Sequence, residues 1–253
     1  MKRLFLSLIV MLLCTTGLAN AHTSSMVEKT CPLCEEVFKC ELDMSGTQFG
    51  MRLDLKPLGP TAAPWRIPVC PKCHFVLYDD EIPAEEFVKC KEIVRSDAYK
   101  KQSGRASYYL LGLLFEGLEK NPLDIAHIFL KASWQEESDE KKLKDDLEHS
   151  LHHFELFLKD QPKSDAVLQK EDNAYVTAQL MKGEILRRMS HFDEAKSYLS
   201  GLLSFKPFQG GTLLGDIVRF EISLCDKKDS GPHAVSEMKK ERNYEPAHAS
   251  DRK

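Results

Sequence analysis

The chain of 253 residues has no surplus of positive charge: 35 lysines and arginines face 39 acids, for a formal net charge of −4. Neutralising a phosphate backbone takes a basic face, so nucleic acid is not an expected partner. Nor is there an apolar run long enough to span a bilayer, which needs roughly 20 residues. The hydrophobic stretch from Leu4 to Leu13 falls well short of that. No glycine loop is shaped to cradle phosphate, since Gly210-Gly211 reads as a turn ahead of a helix. No Ser, His and Asp grouping reads as a catalytic constellation either. A strand-helix-strand pattern is missing around the cysteines, and with it the usual setting of a thiol-exchange centre. These absences favour an architecture over an activity, and a non-enzymatic protein is the expectation.

The first residues predict a compartment. Lys2 and Arg3 form a positive n-region, Leu4 to Leu13 an apolar core, and Ala19-Asn20-Ala21 a small-x-small cleavage pattern, so residues 1–21 read as a secretory signal peptide. Leu13 ahead of Cys14 is not the small residue that lipid attachment requires, and no membrane anchor is expected after cleavage. A periplasmic or secreted protein follows, with Lys2 and Arg3 removed and a charge of −6. Seven cysteines remain: Cys31, Cys34, Cys40, Cys70, Cys73, Cys90 and Cys225. An odd number cannot all pair within one chain, although an oxidising compartment favours pairing.

Two patterns follow each other along the chain, predicting an α+β protein that is mostly α. Residues 22–80 are strand-like and rich in turns. Val37 to Leu42 alternates, Ser45-Gly46 marks a turn, and Phe49, Met51, Leu53 and Leu55 repeat at period two, which predicts a hairpin around Ser45-Gly46 with one buried face. Pro57, Gly59, Pro60 and Pro64 make a loop, and Phe75 to Tyr78 a short strand.

Residues 81–226 predict helices: from Pro83 to Arg95, Ala106 to Leu118, Asn121-Pro122 to Trp134, Asp139 to Lys159, around Ala174 to Ile185, Asp193 to Ser204, and Leu213 to Leu224. Gln161-Pro162 closes the longest of them. Residues 227–253 are polar and are expected to form a mobile tail. The spacing of Leu111-Gly112-x-x-Phe115 and Ala126-x-x-x-Leu130, echoed by Gly183-x-x-Leu186, Ala195-x-x-x-Leu199 and Pro207, fits a tetratricopeptide-like array. Gly112 and Gly183 lie 71 positions apart, close to two such repeats.

The chemistry is concentrated in Cys31-Pro32-Leu33-Cys34 and Cys70-Pro71-Lys72-Cys73, separated by 35 residues. Paired Cys-x-x-Cys turns in a small β-rich segment predict one structural zinc held by Cys31, Cys34, Cys70 and Cys73, its four thiolates leaving no open coordination position. Three alternatives stand beside it. Cys70, Cys73 and His74 spell the Cys-x-x-Cys-His attachment motif of c-type haem, which would make the protein an electron carrier. A reading without metal makes the four thiols disulfides or a thiol-exchange centre. Cys40 and Cys90 read equally as a bridge or as two buried apolar residues, and Cys225 as an unpaired core cysteine. His149, His152 and His153 have a metal-binding spacing, but His149 and His153 project about 200° from the Leu147 and Leu151 face, and the group reads as solvated surface.

The two Cys-Pro-x-Cys runs, followed by Ala106-Ser107-Tyr108-Tyr109-Leu110-Leu111, then Asp124-Ile125-Ala126-His127 to Lys131-Ala132-Ser133-Trp134, then Phe192-Asp193-Glu194-Ala195-Lys196, resemble a widespread bacterial family of uncharacterised proteins. That family joins a zinc-ribbon-like segment to a tetratricopeptide-like helical region, and the resemblance runs from Cys31 to Leu224. It implies zinc at the four cysteines and implies no reaction. His74 stands where such knuckles usually carry glycine. The combined expectation is an exported interaction module whose helical groove receives a protein or peptide partner.

Overall fold

A computed structural model describes residues 22–160 and 173–238. The expected signal segment, Gln161-Pro162 and residues 239–253 lie outside them.

The N-terminal segment is built on two hairpin tips. Strand β1 (Thr23–Thr30) pairs antiparallel with β2 (Val37–Ser45), from Thr23 opposite Ser45 to Thr30 opposite Val37, so that the Cys31–Cys34 run is the turn between them. The second run sits between Val69 and Val76, which form an antiparallel bridge. The hairpin expected around Ser45-Gly46 is not found. The alternation of β2 is real, but its partner precedes it in the chain, and period two cannot reveal on which side a strand will pair. Downstream, Phe49 is 77% exposed and Met51 41% exposed. Only β3 (Gly50–Met51) and β4 (Pro57–Leu58) pair there, joined by a turn in which Leu53 is buried.

Eight helices follow among the described residues: α1 (Ala84–Arg95), α2 (Asp97–Lys100), α3 (Ser107–Gly117), α4 (Pro122–Gln135), α5 (Glu140–Asp160), α6 (Ala174–Arg188), α7 (Phe192–Leu202) and α8 (Leu213–Asp226). Their starts are written locally. Asn121 accepts the Leu123 N–H ahead of Pro122, Asn173 that of Tyr175, and Thr212 that of Gly215. From α3 onward each helix packs on the next, with α8 also reaching α6.

Two main cores result. Phe75, Val76, Cys31 and Cys70 of the N-terminal segment share one with Cys90 and Val94 of α1, Leu110 and Leu114 of α3, and Phe129 of α4. Ala126, Leu130 and Trp134, on the other side of α4, open a second with α5 to α8. Residues 227–238, expected to belong to a mobile tail, fold back instead. The Leu53 N–H donates to the His233 carbonyl, and Met238 is buried against Leu53, Phe220 and Leu224. A polar sequence held by main-chain hydrogen bonds leaves little trace in hydropathy.

Candidate metal centre

The two tips are geometrically alike. In the first, the Glu35 N–H donates to the Cys31 carbonyl and the Cys31 N–H to Glu36. In the second, the His74 N–H donates to Cys70 and the Cys70 N–H to Phe75, all at 2.8–2.9 Å. Glu35 and His74 both adopt left-handed backbone, at φ 62° and 61°. That conformation is what glycine would supply, and here two residues with side chains take it, so the departure from the usual motif is one of residue type and not of turn geometry. Tyr99, buried on α2, donates its hydroxyl to the His74 carbonyl at 3.0 Å and ties the second tip to the helices.

The tips bring Cys31, Cys34, Cys70 and Cys73 together, all four sulfurs within 4.8 Å of one another. Cys31 Sγ lies 3.5 Å from Cys73 Sγ, and Cys34 Sγ 3.5 Å from Cys70 Sγ. Tetrahedral thiolates at about 2.3 Å from a zinc ion are about 3.8 Å apart, so the set could hold a metal ion with little movement. Cys31 and Cys70 are fully buried, and Cys34 and Cys73 are half-buried. Main-chain N–H groups point at the sulfurs in matching places, from Glu36 to Cys34 and from Phe75 to Cys73.

The thiols are electrostatically unequal. Burial pushes Cys31 up to about 11, and it also raises Cys73. At Cys34 the same desolvation is outweighed by hydrogen bonds from the Glu36 N–H and the other thiols, and its pKa is lowered. Protons are therefore held on Cys31 and Cys73, and binding a divalent metal would release them.

The remaining residues singled out from the sequence lie elsewhere. All seven described cysteines are free thiols, so Cys40 and Cys90 are not bridged. Cys90 is buried, with its sulfur 3.6 Å from the Tyr78 hydroxyl, and Cys225 is buried on α8. The histidines of α5 need a correction. His153 is buried and His149 half-buried, and His149 is stacked on Phe129. Glu116 of α3 accepts from His149 Nδ1 at 3.1 Å and His153 Nε2 at 2.7 Å. The helical projection was sound, but α5 lies between α4 and α6 and buries two faces, so pointing away from the leucines is not pointing at solvent.

Sequence reading also missed a pocket of about 290 Å³ between the β4-to-Arg66 loop and α3 and α4, lined by Pro57, Pro64, Trp65, Tyr108, Lys131 and Trp134. Its residues are scattered over nearly 80 positions and carry no motif. No helix among the described residues is long and apolar enough to cross a membrane. No protein-family profile, curated protein or solved structure matches the chain.

Proposed function

We propose that this is an exported, non-enzymatic interaction module in which Cys31, Cys34, Cys70 and Cys73 hold one structural zinc ion and a tetratricopeptide-like helical array receives a protein or peptide partner. The observation that carries the metal assignment is the convergence of four thiols from two matching turns, a donor set that satisfies a tetrahedral ion completely and leaves no position for water or substrate. Zinc bound there contributes folding free energy, about 10 kcal/mol or more for comparable sites. Because Cys31 and Cys70 share a core with α1, α3 and α4, that energy would hold the N-terminal segment against the array.

Two features favour zinc over a haem on Cys70, Cys73 and His74. Sulfurs of Cys31 and Cys34 already lie 3.5 Å from both presumed attachment points. The His74 backbone repeats that of Glu35, which has no ligand role. The array reading rests on sequential helix packing and on the two repeat-like glycines, each pressed against the following helix. Export rests on the sequence of residues 1–21 alone.

Metal analysis, intact mass under denaturing conditions and a visible spectrum, all on protein exported from a host able to attach haem, test this reading. One zinc per chain, no Soret band, loss of residues 1–21 and unfolding by chelator are expected. A covalent haem mass with a Soret band overturns it.

A further inference from the structure

Lys131 breaks a general rule of charge placement. It projects from α4 into the pocket lined by Trp65, Tyr108 and Trp134, and its ammonium lies 5.6 Å from the centre of the Tyr108 ring. It forms no ion pair among the described residues, and desolvation alone acts on it, lowering its pKa. Desolvated charges are ordinarily paired, because an ammonium without a counter-ion loses hydration that nothing in the protein replaces.

The carboxylates on adjoining segments are already taken. Glu137 is held by Arg52 and Lys56, and Asp43 by His22 and the Arg66 N–H. Tyr108 gives its own hydroxyl proton to the Trp65 carbonyl at 3.0 Å. The pocket thus offers a cation, contains no acid, and is otherwise walled largely by aromatic rings and prolines. Trp65, 47% exposed, forms an open side.

We propose that this pocket captures the C-terminal residue of an extended peptide, its carboxylate at Lys131 and its apolar side chain among the rings. A carboxylate supplies the missing charge. The volume, near the lower bound of about 300 Å³ for ligand pockets, suits one residue and not a folded element. The inference rests on the interaction reading and gives its partner a chemistry. Zinc content, measured on the same sample, reports on the metal assignment separately.

The test is direct because the chain has two tryptophans and both line this pocket. Zinc-loaded full-length protein is titrated, with tryptophan emission as readout, against acetyl-Ala-Pro-Leu as the free acid, the same peptide as its C-terminal amide, and phenylacetate. The free acid is expected to give a saturable change, with the amide and phenylacetate at least about tenfold weaker, the loss associated with one charge-assisted hydrogen bond.

Lys131→Met should abolish the preference for acid over amide while leaving the circular dichroism unchanged and Tm equal or higher, since it removes an unpaired charge. Trp65→Ala, at an exposed position, should weaken both peptides and serves as the second variant if Lys131→Met does not fold. Equal binding of acid and amide, a preference that survives Lys131→Met, or no saturable change up to about 5 mM overturns the proposal. Phenylacetate binding as tightly as the peptide acid overturns the peptide as occupant and assigns the pocket to small apolar acids.

Discussion

Glu35 and His74 each hold a left-handed backbone at a place where glycine relieves the strain, which is roughly 1–2 kcal/mol per residue for an L-amino acid. Part of that relief is lost to the greater freedom of glycine in the unfolded chain. His74→Gly is therefore expected to keep the metal and to raise stability by about 0.5–1 kcal/mol, read by denaturant unfolding and metal analysis. Loss of the metal in that variant would return His74 to the list of ligands.

The histidines of α5 define a pH dependence. The hydrogen bond to Glu116 raises His149, against its own desolvation, so its contribution is complete below the unfolded value of about 6.5 and is lost as pH rises through the folded one. At Glu116 desolvation is outweighed by the bonds from His149 and His153, which bring it down to about 2, so its contribution is lost only as pH falls below about 4.3 toward that value. Stability from this contact should peak between those limits and decline by on the order of 1 kcal/mol toward pH 8. Glu116→Gln should remove the decline in unfolding measurements made at pH 6 and pH 8.

Between elements, two glycines set how closely helices approach. A Cβ on Gly112 would lie 2.5 Å from the Phe129 ring, and one on Gly183 would lie 2.3 Å from Leu199 Cδ2, with both partners fully buried. Alanine gains about 1 kcal/mol of helix propensity over glycine, but overpacking a closed site costs about 1–3 kcal/mol. Gly112→Ala and Gly183→Ala should each come out destabilising, as a lower Tm. An increase would mean that the helix pair can separate freely.

Helix ends show the reverse economy. Glu119, Ser190 and Lys228 close α3, α6 and α8 in left-handed backbone, each followed by a 6→1 bond such as that from the His191 N–H to the Leu186 carbonyl. The starts of α1 and α4 were legible from Pro83 and from Asn121-Pro122. These non-glycine stops carried no residue signal.

Across the whole molecule, the N-terminal segment reaches both cores. Its four-cysteine cluster shares the first, while its β3–β4 turn crosses to the second, where Asp54 accepts from Arg188 at 3.0 Å. Chelating the metal is expected to abolish amide-exchange protection in β1, β2 and α1 and to reduce it in α3, while α6 to α8, within the second core, keep theirs. Uniform loss of protection would show a single cooperative unit.

At the far end, Arg187 is fully buried, paired with Glu184 at 2.7 Å and donating to the carbonyls of Asp229 and Gly231. Truncation after Asp226 removes those acceptors along with Met238. It should cost about 3 kcal/mol or more, measured by chemical denaturation.

The seven longer helices, the Asn121 cap and the pairing of the four clustered cysteines were determined by the sequence itself, because periodicity, capping and ligand spacing act within a few residues and leave their mark there. Tertiary structure decided what depended on a partner distant in the chain. It placed β1 beside β2 across the first cysteine turn, buried His149 and His153 beneath α3 and α4, and bound residues 227–238 to Leu53 and Arg187. It also left Lys131 beside two tryptophans with no acid to meet it. Whether a side chain is solvated or partnered is a property of the surface brought against it, and no local pattern encodes that surface.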